Sequence, residues 1–308
     1  TLARTEYEIT VPGTFTDVFG QTLGGDKKVK VKIGTAPPSI QQLDSIITLD
    51  PFATQEQVSL WTIGHDKLRV RVFAADPAMF AEYVHYLNER DNPDTTLPDW
   101  QELSDATLTI TGDTDNPIVA DIDLSTALKG KPGQVIVLVE PVPAVKPSSD
   151  NYWQNRPALT WAQSTTLGLD AVSDATTLHT WVTDLRTGAT RDGVSLSMIA
   201  AGTTATATTD PDGAATLALP ASSNEDGLVA IVARDGDESA IITTYATRTE
   251  VRDQARWFVF DDRQVYKPGE TRRVKGWVRR ITYSTDAPVA ALRSGDRHSY
   301  PVTDSHGT

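Results

Sequence analysis

Hydrophobic and polar residues alternate along most of this chain, in short runs that are separated by Gly, Pro, Asn and Asp. The runs at residues 7–11, 29–33 and 68–73 follow the two-residue period of a half-buried β-strand. The run at 135–139 is apolar throughout, which is typical of a strand that is buried on both faces. This pattern predicts an all-β fold made of many short strands.

One segment departs from the strand period and predicts a helix from Pro77 to Arg90. Asp76 is a residue type that caps helices, and proline suits the first helical position. The apolar side chains recur at helical spacing on one face: Met79, Phe80, Tyr83, Val84 and Leu87. The helix is expected to end before the Asn-Pro pair at 92–93.

A sharply defined turn lies between the apolar run at 257–260 and the alternating run at 274–279. Pro268 fixes φ at about −65°, and Gly269 accepts the positive φ that a type II turn needs at its third residue. The sequence therefore predicts a strand, a turn and a second strand. We assign four residues to this structural turn: Tyr266, Pro268, Gly269 and Glu270.

The strand after this turn predicts a basic surface. Alternation places four side chains on the face opposite the apolar residues: Arg273, Lys275, Trp277 and Arg279. This basic face is a candidate binding site for an acidic partner or for a neighbouring acidic module. The alternative is a solvated strand face on which the Trp packs against Arg stems.

Length, composition and charge predict several modules. With 308 residues the chain has room for about two to three β-sandwiches of roughly 100 residues each. Segments 34–38 and 141–157 are rich in Pro and are expected to be linkers between sandwiches. Residues 251–308 contain 11 basic and 7 acidic residues, whereas residues 1–250 contain 17 basic and 34 acidic residues. This change from −17 to +4 supports a module boundary near residue 250.

The same composition excludes several classes of protein. A net charge of −13 argues against nucleic acid or an anionic membrane surface as the main partner. No apolar run reaches the roughly 18 residues of a membrane span. The chain has no Cys, so disulfides and thiolate metal sites are excluded. Because Thr1 begins in polar sequence, we expect a mature or excised chain.

None of the candidate catalytic or metal-binding patterns is complete. The segment 210–213 is similar to the start of a calcium loop, but Ala occupies the later ligand positions 214 and 221, so a hairpin turn is favoured. The five histidines lack the spacing of a metal site: His65, His85, His179, His298 and His306. No nucleophile elbow or phosphate-binding loop occurs. We expect no catalytic residue, no metal and no cofactor.

Several motifs are similar to those of bacterial alpha-2-macroglobulins, a family of large secreted protease traps. Residues 262–276 resemble the D-R-x-x-Y-x-P-G-E-x-x-x-x-K-G signature that opens a macroglobulin domain. Residues 181–188 and 209–217 are similar to W-V-T-D-L-x-T-G and T-D-x-D-G-x-A-x-L of another such domain. The order of elements from residue 68 to residue 141 resembles that of a third macroglobulin domain. Residues 17–23 resemble the D-x-x-G-Q-x-L segment near the end of a bacterial immunoglobulin-like domain.

The resemblance implies an all-β fold of tandem macroglobulin-like β-sandwich domains, which are immunoglobulin-like or fibronectin-like, with one short helix in the second module. The C-terminal strands of an immunoglobulin-like domain are expected at 1–35. Macroglobulin-like domains are expected at 36–145, with the helix, and at 146–250. A further, truncated macroglobulin-like domain is expected to start at 251 and run to 308.

The resemblance further implies structural modules of a protease inhibitor, with no catalysis in this segment. Family members are cut at a bait segment and then close around the attacking protease. The implied partners are proteases, met by the full-length protein, and neighbouring domains of the same chain. The implied location is extracytoplasmic, in the periplasm or at the cell surface. The alternative is a surface stalk or adhesin built from immunoglobulin-like sandwiches.

Overall fold

The structure is a computed structural model of the chain, and it describes residues 2–200, 203–220, 228–246, 254–263, 265–267, 269–281 and 289–291. In these residues the chain forms 20 strands in six sheets, with three short α-helices. The predicted all-β class is confirmed.

The first two strands form an isolated antiparallel hairpin. They are β1 (Glu6–Val11) and β2 (Lys27–Lys32). One face carries apolar residues, because Tyr7 lies opposite Val31 and Ile9 lies opposite Val29. The other face is charged, and its strands are joined by ion pairs such as Lys28 Nζ to Glu8 Oε1 at 2.7 Å.

The next eight strands form the first sandwich. One sheet has the order β3-β5-β8, with β3 (Ser39–Ile40), β5 (Gln57–Ile63) and β8 (Ile118–Asp123). The other has the order β4-β10-β9-β6-β7, with β4 (Ile46–Leu49), β6 (Lys67–Ala74), β7 (Glu102–Thr109), β9 (Gly133–Pro141) and β10 (Ala158–Ser164). Apolar residues of alternate positions fill the space between them, among them Leu60, Val70 and Val137.

The predicted helix is confirmed within the first sandwich. A 3-10 turn, Pro77–Met79, leads into α1 (Phe80–Glu89). Asp76 caps the turn, since its Oδ1 accepts a hydrogen bond from the backbone N of Ala78 at 2.9 Å. Two single-turn helices, which the hydrophobic pattern does not indicate, are α2 (Ser125–Leu128) and α3 (Tyr152–Asn155).

Strand β10 lies in the first sandwich, and this differs from the sequence analysis, which placed residues 146–250 in the following module. It pairs in parallel with β4 and antiparallel with β9. All seven of its residues are buried, because it fills the gap between these two strands and is covered on both faces. The Pro-rich segment 141–157 therefore connects neighbouring strands of one sheet.

Seven further strands form the second sandwich. One sheet has the order β11-β12-β15, with β11 (Leu167–Ser173), β12 (Thr177–Asp184) and β15 (Ala214–Ala218). The other has the order β14-β13-β16-β17, with β13 (Ser195–Ala200), β14 (Thr203–Thr208), β16 (Leu228–Asp235) and β17 (Glu238–Tyr245). The core between the sheets contains Leu178, Val182, Leu196 and Ile231.

The last described strands form a separate antiparallel sheet in the order β18-β19-β20. They are β18 (Gln254–Asp261), β19 (Val274–Ile281) and β20 (Ala290–Ala291). Strands β18 and β19 are the two strands that the sequence predicts on either side of the turn. Most of their side chains are exposed.

Candidate functional site

The predicted basic face lies on the β18–β19 ribbon, where it is joined by two aromatic residues. Lys275, Trp277 and Arg279 occupy alternate positions of β19, whereas Arg273 lies just before the strand. Phe258 lies directly opposite Trp277, and Phe260 lies opposite Lys275. Directly paired residues share a face in an antiparallel sheet. The sequence analysis missed both Phe residues because it did not assign the register between the two strands.

Three aromatic rings meet on this face. The ring centroid of Trp277 lies 5.7 Å from that of Phe258 and 5.6 Å from that of Phe260. The Nζ of Lys275 lies 5.9 Å from the Trp277 ring, at the distance of a cation–π contact. The exposed fractions of Phe258, Phe260 and Trp277 are 65%, 42% and 42%. We call Phe258, Phe260, Lys275, Trp277 and Arg279 the aromatic–basic face.

The turn between these strands has its own contacts. Gly269 has φ +85°, and the N–H of Glu270 donates to the carbonyl of Lys267 at 3.1 Å, which is the geometry of a type II turn. The Tyr266 hydroxyl donates to Asp262, and this hydrogen bond lowers the pKa of the Asp262 carboxyl. Pro268 lies outside the described residues.

Gly269→Val is expected to lower the stability of the β18–β19 ribbon by about 1–3 kcal/mol through backbone strain. An added Cβ meets nothing within 4 Å, so the positive φ is the whole cause. Hydrogen exchange of β18 and β19 amides measures the loss, and β9 amides serve as the internal reference. Gly269→Asn is the matched control, since Asn tolerates positive φ and should cost less. Equal protection in wild type and the Val variant would show that the turn assignment is wrong.

A second feature, which the sequence analysis did not predict, is a shared core between the two sandwiches. The outer faces of β9 and β10 contribute Ile136, Leu138, Leu159 and Trp161, and α1 contributes Phe80 and Tyr83. Across the junction, β16 and β17 contribute Ala230, Val232 and Ile241. Strands β9, β10 and β16 are therefore buried on both faces.

Polar contacts reinforce this junction. The Gln163 amide bonds both backbone groups of Ile241: its Oε1 accepts from N at 2.8 Å, and its Nε2 donates to O at 2.9 Å. Gln134 Nε2 donates to Ser239 Oγ at 2.8 Å, while its Oε1 accepts from Trp161 Nε1 at 2.7 Å. Both side-chain amides are buried, and both form hydrogen bonds to the second sandwich, as buried polar groups generally must. The two glutamines therefore link the two sandwiches. We call the shared core and these amides the sandwich junction.

A carboxylate completes the junction at the end of β10. Glu238 Oε1 accepts from Thr165 Oγ1 at 3.0 Å and from the backbone N of Thr166, and its Oε2 accepts from Thr166 Oγ1 at 2.9 Å. Hydrogen bonds to a charged acceptor are stronger than neutral ones. The segment between the sandwiches is thus held by the β16–β17 hairpin.

Two of the described histidines and the candidate calcium loop have hydrogen-bond partners within the chain. His65 Nε2 lies 2.7 Å from Asn155 Oδ1, and His179 Nε2 lies 3.3 Å from Asp174 Oδ2. His85 is exposed on α1, and His298 and His306 lie outside the described residues. Asp210 caps the turn between β14 and β15, because its Oδ1 accepts from the N–H groups of residues 212 and 214. These two strands lie in different sheets, so the turn connects the two sheets of the second sandwich and the predicted hairpin is not formed. Within the described ranges, no three acidic or His side chains are grouped as a metal site.

The described helices are short. None of them has both the length and the apolar character that a membrane-spanning helix needs.

Comparison with known proteins shows a likeness of fold. No family model matches the chain, and no curated protein matches it in sequence. Native alpha-2-macroglobulin from Escherichia coli, in a crystal structure spanning domains MG0-NIE-MG1, matches with a TM-score of 0.51 and 14% identity, over 79% of this chain and 75% of that chain. The structure spanning NIE-MG1 matches with a TM-score of 0.51 and 15% identity, over 67% of this chain and 96% of that chain.

A longer structure is also similar. Salmonella alpha-2-macroglobulin reacted with methylamine matches with a TM-score of 0.49 and 15% identity, over 91% of this chain but only 17% of that chain. The predicted resemblance to bacterial alpha-2-macroglobulins is confirmed at the level of fold, which is that of macroglobulin-type β-sandwich modules.

Proposed function

We propose that this chain provides structural modules of a bacterial alpha-2-macroglobulin-like protease inhibitor. The observation that carries the proposal is the fold shared with the E. coli MG0-NIE-MG1 structure over 79% of this chain. In this role the modules form part of the frame of a protease trap and perform no bond-making step.

We further propose the limits of the modules. The hairpin at 1–35 belongs to an immunoglobulin-like domain, and residues 251–308 belong to a macroglobulin-like domain. Between them, two macroglobulin-like domains meet at Thr165, because β10 completes a sheet of the first sandwich. The sequence analysis started the following domain at residue 146, so the proposed boundary lies about 20 residues later in the chain.

The sandwich junction supports a frame role. In a protease trap, a cut at one segment must lead to a movement of whole domains. Packed interfaces can transmit such a movement, because they adopt a small number of discrete arrangements. The shared core of α1, β9, β10, β16 and β17 joins the two sandwiches over an apolar surface. We propose that they move as one rigid body when the full-length protein closes.

The proposed partners are proteases and the neighbouring domains of the same protein. The proposed location is outside the cytoplasm, in the periplasm or at the cell surface. Both follow from the resemblance to bacterial alpha-2-macroglobulins, whose MG0-NIE-MG1 structure shares the fold of this chain.

Limited proteolysis of the full-length protein tests this function. We expect several proteases to make a single early cut, followed by an increase in sedimentation coefficient as the protein becomes more compact. The control is the same protease with its active site covalently blocked, which should cause neither change. A surface stalk, the alternative function, would be cut without compaction, and that result would contradict a trap.

A further inference from the structure

The segment 34–38 joins the N-terminal hairpin to the first sandwich, and contacts hold it from both sides. On the hairpin side, the N–H of Arg4 donates to the carbonyl of Gly34 at 2.8 Å. On the sandwich side, the N–H of Ala36 donates to Oδ1 of Asp115 at 2.9 Å. The next two residues are both proline, which restricts them and the residue before them to extended conformations. The segment therefore has little freedom to bend.

The carboxylate of Asp115 bonds the hairpin and the connecting segment at the same time. Asp115 lies in the loop between β7 and β8 of the first sandwich. Its Oδ2 lies 2.6 Å from Nε of Arg4, while its Oδ1 accepts from the N–H of Ala36. Only 12% of the Asp115 side chain is exposed, so water competes poorly for its two oxygens. Hydrogen bonds to such a charged acceptor are stronger than neutral ones.

The loop that carries Asp115 is itself fixed by the first sandwich. Asp113 Oδ1 accepts from the N–H of Asp115 at 3.1 Å, and the N–H of Gly64 donates to the carbonyl of Thr114 at 2.8 Å. Gly64 also lies against the connecting segment, since a Cβ built on it would be 3.0 Å from Cα of Pro38. The first sandwich therefore sets the position of the carboxylate.

The backbone of Arg4 gives independent evidence that this residue is held in place. Its φ is +50°, in the left-handed region that residues with a Cβ rarely adopt. A conformation of this kind is unfavourable by itself and persists where surrounding contacts maintain it. The contacts of Arg4 are the bond to Gly34 and the ion pair with Asp115.

Apolar packing does not hold the hairpin on the first sandwich. Ile9 and Val29 of the hairpin are 52% and 54% exposed, and no described residue from 2 to 33 belongs to the core of the first sandwich. An open cleft of about 610 Å³ lies between the two parts, with Leu2 and Ile33 on one side and Asn116 on the other. The joint therefore depends on polar contacts.

We infer that Asp115 is the positioning residue of a fixed joint, which holds the N-terminal hairpin at one angle to the first sandwich. It does so because it bonds Arg4 of the hairpin and Ala36 of the connecting segment together. Without this carboxylate, the hairpin can turn about the backbone of residues 34–36. The sandwich junction joins the first sandwich to the second, so the joint sets the direction of the hairpin relative to both. This inference does not rest on the proposed protease trap.

The distance between two spin labels, measured by double electron–electron resonance, tests the joint. The chain has no Cys, so labels attach only to introduced cysteines. Thr10→Cys in β1 and Thr107→Cys in β7 place one label on the hairpin and one on the first sandwich, both at exposed positions. We expect one narrow distance distribution when Asp115 is present. In Asp115→Ala the distribution should be roughly twofold broader or more, since the hairpin is then tethered by a short linker alone.

Two further variants separate the contacts of the joint. Arg4→Met removes the ion pair but keeps the bond from Ala36 to Asp115, so it should broaden the distribution less than Asp115→Ala does. Hydrogen exchange of the Ala36 amide should be faster in Asp115→Ala and unchanged in Arg4→Met. The matched control is Lys28→Met, which removes an ion pair of similar length within the hairpin, to Glu8 at 2.7 Å. This variant should leave the distribution unchanged.

Three results would overturn the inference. One is a broad distribution when Asp115 is present, and another is an equal width in Asp115→Ala. The third is a broadening in Lys28→Met as large as that in Asp115→Ala, because the joint would then respond to the loss of any surface ion pair. Circular dichroism checks the folding of each variant. If Asp115→Ala does not fold, Arg4→Met decides, and a width equal to that of the parent overturns the inference.

These measurements are independent of the proposed function. None of them uses a protease, and the hairpin can be fixed or free in a protein that traps proteases. Failure of the joint is therefore distinguishable from failure of the trap.

Discussion

Trp161→Ala is expected to destabilise both sandwiches together, by about 3–5 kcal/mol. The Trp161 side chain is fully buried in the shared core, with ring centroids 5.4 Å from those of both Phe80 and Tyr83. Its Nε1 donates to Gln134 Oε1 at 2.7 Å, so the substitution also leaves a buried acceptor without its donor. A cavity at this position weakens the contact with β16 and β17 as well as the packing of α1.

Native-state hydrogen exchange measures this coupling. We expect amides of β9, in the first sandwich, and of β16, in the second, to lose protection by similar amounts in Trp161→Ala. The control is Trp153→Ala, since Trp153 is exposed and its removal should cost less than about 0.5 kcal/mol. Loss of protection confined to the first sandwich would contradict the rigid pair of domains.

Gly213→Val is expected to destabilise the second sandwich by about 3 kcal/mol or more, from strain and overpacking combined. Gly213 has φ +73°, which side chains with a branched Cβ rarely adopt. A Cβ built on it would lie 2.5 Å from the carbonyl O of Val182 and 3.2 Å from the N of Arg191. The neighbouring atoms are backbone of β12 and the following loop, so they cannot rotate away.

Gly188→Val separates the two causes. Gly188 has φ +71°, but an added Cβ there meets nothing within 4 Å, so only backbone strain of about 1–3 kcal/mol remains. Thermal unfolding of the two variants should therefore show a markedly lower midpoint for Gly213→Val. Equal midpoints would show that the close approach to Val182 is not preserved in solution.

The sequence predicted those strands and the helix that are determined by the local pattern of hydrophobic and polar residues. Alternation identified β1, β2 and β6, an apolar run identified β9, and a capping Asp followed by Pro identified the start of α1. Each of these signals depends on residues close together in the chain. The type and approximate position of these elements therefore required no knowledge of their neighbours in space.

Which strands pair with one another depends on residues that are far apart in the chain. Strand β10 follows a Pro-rich segment that is typical of a linker, yet it pairs with β4, more than 100 residues earlier in the chain. Gln163 and Gln134 are polar residues, and nothing in their local sequence indicates that their amides bond across the sandwich junction. Long-range pairing of this kind is set by burial and by the register between strands.

Only part of the candidate site was predicted, because the rest of it also depends on the pairing between strands. Alternation along β19 predicted the shared face of Lys275, Trp277 and Arg279. The contribution of Phe258 and Phe260 required the pairing of β18 with β19, which the structure supplies.

Protease activity toward substrates of different size tests the proposed trap most directly. The full-length protein is incubated with trypsin, and activity is then measured on a large protein and on a small peptide. A closed trap surrounds the protease but leaves its active site free, so we predict loss of activity on the protein and retention on the peptide. Unchanged activity on both substrates, or equal loss on both, would contradict a trap.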